Sequence, residues 1–257
     1  MNINILAVGD VVGAPGLDFL EDRLPGLKRL KNIAFTVVNG ENANVVGVTP
    51  KQAERILNAG ADVVTLGNHT WTRYEIKPFL DETRRVLRPA NFAPQCPGRG
   101  WGEYNTQYGK ICVVNLMGRF TLDTNTDNPF VAADCILQET DAKIVLVDMH
   151  AEASSERQAM GWFLDGRASA VWGTHTHVQT SDAMVLPGGT GLISDVGMTG
   201  PMYAVLGVDP VQSVNKFLGD PPERYRAADG DCKMECAVFT VDTETGRCVS
   251  AEALRIV

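Results

Sequence analysis

The chain carries four histidines in 257 residues, and each stands at or just after the end of an apolar, strand-like run. His175 and His177 close the stretch Val171-Trp172-Gly173-Thr174-His175-Thr176-His177, where strand alternation would put both on one face with Thr176 pointing elsewhere; His69 follows Gly67-Asn68, and His150 follows Asp148-Met149. Two more runs end on carboxylates: Ile3 to Val8 is followed by Gly9-Asp10, and Ile33 to Val38 by Asn39-Gly40-Glu41-Asn42. Five strand ends thus deliver oxygen and imidazole donors, and unrelated structural needs give no reason for every histidine to take this one kind of position. Imidazole, carboxylate and amide oxygen without thiolate suit iron, manganese or zinc. The donors outnumber those one tetrahedral ion requires, so two ions are the economical reading, with Glu41 as the bridging carboxylate. Paired ions clamp the attacking and leaving oxygens of an in-line displacement, and a water held between them loses a proton near neutral pH.

The elements that must position these groups alternate. Strand-like runs at Ile3 to Val8, Ile33 to Val38, Asp62 to Leu66, Ile111 to Leu116, Ile144 to Val147 and Ala170 to Trp172 are separated by helical stretches around 17–30, 50–58 and 154–165. Thr49 is the expected N-cap of the second helix, with Pro50 at its first position and Gly60 past its end. Runs such as Ile144-Val145-Leu146-Val147 are apolar on both faces, as buried central strands are. Strands alternating with helices predict crossover units in a layered α/β fold, which binds ligands at the carboxyl edge of its sheet. One domain is expected over 1–257. Proline and glycine collect beyond Met184, so 197–223, with a short helix at 211–218, is expected to be a cap over the site or an oligomerisation element. A hairpin is expected at the end of the chain, with Met234 to Val241 and Val249 to Ile256 joined at Asp242 to Gly246.

Composition narrows the function. A net charge of −8 and a pI near 5.0 argue against extended nucleic-acid binding, which rests on Lys and Arg contacts to phosphate. The first apolar run is too short for a signal peptide or a membrane span, so no membrane partner is expected. Six cysteines form no C-x-x-C pair and read as reduced thiols in a cytoplasm, with Cys232 and Cys236 a poor metal pair. The glycines of Gly9-Asp10-Val11-Val12-Gly13-Ala14-Pro15-Gly16 lack dinucleotide-fingerprint spacing.

The order Asp, acid, Gly-Asn-His, His, Gly-x-His-x-His resembles the calcineurin-like metallophosphoesterases over most of residues 4–180. Two departures stand out. The usual first motif has a histidine where this chain has Val12, and the usual bridging aspartate is replaced by Glu41 of Asn39-Gly40-Glu41-Asn42. With GDVVG, NGEN, GNH and GTHTH, the chain is similar to the YmdB-like bacterial metallophosphoesterases, a family associated with phosphodiesterase action on cyclic nucleotides. The resemblance implies a layered β-sandwich flanked by helices, with Asp10, Glu41 and His177 on one metal and Asn42 in part replacing the missing histidine. It implies Glu41, Asn68, His150 and His175 on the second metal, and His69 as the acid that protonates the leaving oxygen. The expected enzyme is a binuclear phosphodiesterase, carrying two iron, manganese or zinc ions, that hydrolyses small phosphodiesters such as 2′,3′- or 3′,5′-cyclic AMP. A phosphomonoesterase, or a metal-containing regulatory protein with vestigial activity, is the alternative. Arg119 and the turn Gly197 to Pro201 are expected to contact substrate or merely to lie in surface loops.

Overall fold

The computed structural model describes residues 1–122 and 125–257. The first half runs β1 (Asn2–Val8), β2 (Asp10–Val11), α1 (Gly13–Leu30), β3 (Ile33–Asn39), α2 (Pro50–Asn58), β4 (Val63–Thr65), α3 (Ile76–Glu82) and β5 (Val86–Leu87). Next come β6 (Trp101–Thr106), β7 (Gly109–Met117), α4 (Pro129–Glu139), β8 (Ile144–His150), α5 (Ser154–Phe163) and β9 (Ala170–Thr174). The chain closes with β10 (Met184–Val185), β11 (Gly191–Ile193), β12 (Met198–Pro201), α6 (Pro210–Leu218), β13 (Cys232–Asp242) and β14 (Cys248–Ile256).

Two sheets form. One has the order β2-β12-β13-β1-β3-β4-β5, with β14 also pairing β13; the other has the order β10-β11-β9-β8-β7-β6. β1, β3 and β4 are parallel, as are β7, β8 and β9, so each set presents its carboxyl ends along one edge. Side-chain alternation along a strand explains the layering. On β1, Ile5 and Ala7 face the second sheet, in a core shared with Val113, Leu146 and Trp172, while Leu6 and Val8 face the helices. α1 covers that side with Leu17, Leu20, Leu24 and Leu27, spaced three and four apart on one helix face. Each fully buried leucine contributes on the order of 1.5–3 kcal/mol by leaving water. α4 and α5 cover the other sheet through Ile136, Met160 and Leu164. The result is the expected layered α/β arrangement, helices outside and two sheets within.

Local chemistry explains where elements start. Thr49 and Gln52 form the capping box of α2, with Pro50 next to the cap. Several expectations need correction. α1 begins at Gly13, whose φ of +65° permits the turn out of β2, and not near Leu17. α3, α4 and β6 carry too little apolar periodicity to stand out in the sequence. Met198–Pro201, expected within the cap or oligomerisation element of 197–223, is β12 and pairs with β13, so the excursion from the sheet begins after Pro201.

Candidate metal centre

The parallel strands end together where the two sheets meet. Asp10 begins β2 directly after β1, Glu41 and Asn42 follow β3, Asn68 and His69 follow β4, His150 is the last residue of β8, and His175 and His177 follow β9. Asp10, Glu41 and His150 are fully buried. Glu41, His150 and His175 place one donor atom each within 4.8 Å of one another.

His150 is the centre of the cluster. Its Nε2 lies 2.9 Å from Asn68 Oδ1, 3.0 Å from Glu41 Oε1 and 3.1 Å from His175 Nδ1. Its Nδ1 lies 2.9 Å from the Thr174 hydroxyl, which donates over 2.7 Å to Asp148 Oδ1. A hydroxyl that donates to Asp148 must accept from the imidazole, so Nδ1 carries a proton and Nε2 is the atom turned into the cluster. Asp148 also accepts from Thr65 Oγ1 at 2.5 Å and Asn39 Nδ2 at 3.3 Å, tying both sheets beneath the site. Burial raises the Asp148 carboxyl to about 6.

The other half of the cluster lies around Asp10. Its Oδ2 accepts the His175 backbone N–H at 3.1 Å, its Oδ1 stands 3.8 Å from His177 Nε2, and Asn42 Nδ2 lies 3.0 Å from the same imidazole nitrogen. Glu41 Oε2 accepts the His69 backbone N–H at 3.1 Å. Asn68 Nδ2 stands 3.3 Å from His69 Nε2, so one amide touches both His150 and His69.

Charge in the cluster is displaced from ordinary values. Burial pushes the Glu41 carboxyl up, but the charge of His150 and its hydrogen bond outweigh it and hold Glu41 at about 2. Burial pushes His150 down, and Glu41, then Asp10 and Asp148, overcome this and raise it to about 9. His175 falls to about 3, first through burial and then through the positive His150.

The donor set fits a metal ion. One proton on His150 Nε2 cannot satisfy three neighbours converging on it, Glu41 Oε1 among them, and the buried oxygen Asp10 Oδ1 has no hydrogen-bond partner among the described residues. A cation is the group to which carboxylate, amide oxygen and bare imidazole nitrogens all donate. The backbone also leaves room: a Cβ on Gly67 would lie 2.3 Å from His150 Nε2 and 2.5 Å from Glu41 Oε2. All eight residues expected at the site are thus brought together.

The two-residue spacing of His175 and His177 works differently from the expected strand alternation. β9 ends at Thr174, and the two histidines take left-handed φ values of +106° and +61°. Such backbone costs of order 1–3 kcal/mol per residue and persists where the surroundings over-determine it. Here Asp195 does so. Its Oδ2 accepts the Thr176 N–H at 3.2 Å and hydroxyl at 2.6 Å, and pairs with Arg157 Nη1 at 2.5 Å in a buried ion pair. Gly173 permits close approach, since a Cβ there would sit 1.8 Å from the Ser194 carbonyl oxygen. The sequence reading missed Glu152, whose Oε2 lies 3.0 Å from His175 Nε2, along with Asp148 and Thr174. The signal available was the run Asp148-x-His150-x-Glu152. Arg119, expected as one alternative to contact substrate, is not among the residues lining the cavity.

A cavity of about 360 Å³ opens onto the cluster, within the range of small-molecule sites. Glu41, His69, His175 and His177 form one wall, and residues of the excursion around α6 form the other. No described helix is long and apolar enough to cross a membrane, and all six cysteines are free.

Known proteins resemble the chain throughout. A 2′,3′-cyclic-nucleotide 2′-phosphodiesterase of Bacillus subtilis is 42% identical over 257 residues, covering 99% of this chain and 97% of that protein. A Thermus thermophilus crystal structure, described as that of a hypothetical protein, superimposes with a TM-score of 0.92 at 38% identity, covering 99% of both chains. A Mycoplasma pneumoniae structure described as a novel phosphatase gives a TM-score of 0.93 at 32% identity, covering 100% of this chain and 94% of that one. Residues 6–254 match the family of YmdB-like proteins, and with that match joined to the shared fold the chain belongs to the YmdB-like family.

Proposed function

We propose that the chain is a binuclear metal-dependent phosphodiesterase that hydrolyses small phosphodiesters, cyclic nucleotides of the 2′,3′- or 3′,5′- type foremost. The observation that carries this reading is the convergence of Glu41, Asn68 and His175 on His150 Nε2 beside the buried Asp10 Oδ1, which has no hydrogen-bond partner among the described residues. The name of the Bacillus subtilis relative supports the substrate class. Asp10, Asn42 and His177 would hold one ion, Asn68, His150 and His175 the other, with Glu41 shared. Iron or manganese is favoured by the mixed oxygen and nitrogen donors. Bound there, the ions would supply an activated water and neutralise charge on the phosphoryl oxygens.

The chain's own residues do the rest. Asp148 and Thr174 keep the Nδ1 proton on His150, so Nε2 is the donor atom facing the cluster. Asp195 holds the turn that aims His175 and His177. His69 lines the cavity beside Glu41, with its ring against the Asn68 amide. From there it delivers a proton to the departing alkoxide, a contribution of about 10²–10⁴ in rate for a poor leaving group. Elemental analysis joined to hydrolysis of bis-p-nitrophenyl phosphate, a phosphomonoester, and 2′,3′- and 3′,5′-cyclic AMP with added manganese tests the proposal. About two transition-metal ions per chain with diester turnover are expected. Two ions without turnover on any ester would favour a regulatory protein, and a protein that takes up no metal would sink the assignment.

A further inference from the structure

The wall facing the polar cluster is apolar. Val205 and Leu206 line it from the loop after β12, Phe217 from α6, and Tyr225 from the returning strand-like segment. Leu206 and Phe217 are 46% and 85% exposed, an unusual cost for side chains beside a charged cluster unless something apolar covers them. Lys216 is the one ammonium or guanidinium in the described cavity lining. Its Nζ bonds the Tyr225 hydroxyl and lies 4.9 Å from the centre of that ring, which holds the ring in place.

This wall is built, not loose. Asp209 caps α6 by accepting the Val211 and Gln212 N–H groups, and Gln212 in turn bonds Arg224 O at 2.8 Å and Arg226 N at 3.0 Å. Asp209 N donates to Arg226 O and Ala228 N to Gly207 O, so helix and returning segment form one unit. That unit is tied to the site: Leu206 O lies 2.9 Å from His177 Nδ1. Gly207 lets it close on the fold, because a Cβ there would lie 2.5 Å from Val12 Cγ1.

A phosphoester seated at the polar wall therefore has its organic group directed at aromatic and aliphatic surface. Every nucleobase has a π-face that stacks on such side chains. We infer that Phe217 and Tyr225, on the segment 202–228, bind the planar base of a nucleoside-type phosphoester and so determine specificity at this site. The inference rests on the phosphodiesterase reading, yet it concerns recognition and is tested by binding.

The test uses the full chain loaded with manganese and two monoesters of secondary alcohols, adenosine 3′-monophosphate and glycerol 2-phosphate, titrated calorimetrically. Phe217→Ala is expected to weaken the adenosine ester on the order of tenfold, by loss of stacking, and to leave the glycerol ester unchanged. Phe217→Trp is expected to restore or tighten adenosine binding. Because Phe217 is exposed, neither change should disturb folding. Unchanged adenosine affinity in Phe217→Ala, or equal weakening of both esters, would overturn the inference, as would a wild type that binds the two equally. Phe217-dependent adenosine binding without hydrolysis of any diester would overturn the phosphodiesterase reading and support this one.

Discussion

Metal loading should eject a proton from His150, and the affinity for the ions should climb with pH in step. In the metal-free protein, burial is outweighed by Glu41, Asp10 and Asp148, and His150 keeps its second proton up to about pH 9 against an ordinary 6.5. A ligating imidazole must offer a bare nitrogen, so the ion and that proton compete for Nε2. Each pH unit below 9 therefore costs about 1.4 kcal/mol of binding, a factor of ten in affinity. Calorimetric titration of chelator-stripped protein with manganese, in buffers of different ionisation enthalpy, measures both quantities. Close to one proton should leave per ion bound at this position at pH 6.5 and 7.5, and the affinity should rise by roughly a hundredfold between pH 6.5 and 8.5. The same shift acts on stability with a definite sign. A raised histidine pKa stabilises the metal-free fold fully below pH 6.5, and that contribution is lost as pH rises through about 9. The amount is on the order of 3 kcal/mol. Stripped protein should melt lower at pH 9.5 than at pH 6.5, and Glu41→Gln should narrow the difference. Flat affinity with no proton release at pH 7 would refute the reasoning, since His150 would then be neutral or would not meet the ion.

Three further outcomes are expected. His69→Ala should keep both ions and lose about 10²–10⁴ in turnover of diesters with poor leaving groups while sparing activated aryl esters; equal losses on both ester types, measured by kcat, would argue against its role as acid. Gly67→Ala should leave the circular dichroism spectrum intact and strip metal from the protein, because the new methyl would occupy the space 2.3 Å from His150 Nε2; full metal content by elemental analysis would contradict this. Thr174→Val should destabilise the protein by about 1–3 kcal/mol in urea unfolding, because Asp148 and the His150 ring each lose a buried partner. It should also weaken metal binding, and a variant with unaltered stability and affinity would show that the hydroxyl does not hold the ring.

Much of the site was legible because a parallel layered fold has one place for chemistry. Buried strands such as Ile144 to Val147 must be apolar on both faces, so the polar residues after each run mark its carboxyl end, and such ends gather on one edge. Asp10, Glu41, Asn42, Asn68, His69, His150, His175 and His177 could be picked from the sequence on that ground. Capping is similarly local: Thr49, Pro50 and Gln52 suffice to start α2.

Other features exist only in three dimensions. Asp148 is fifth in an apolar strand, and nothing in its neighbours reveals that Thr65 and Asn39, from the other sheet, will meet it. The spacing of His175 and His177 suggested alternation along a strand, yet Asp195 and Arg157, distant in the chain, impose a left-handed turn instead. The wall of Phe217 and Tyr225 is likewise a product of packing, for the sequence shows only a short helix among prolines. Periodicity and capping act between near neighbours and are written in the sequence; long-range hydrogen bonds and the facing of one segment on another depend on where the sheets place them, and that was decided by the tertiary structure.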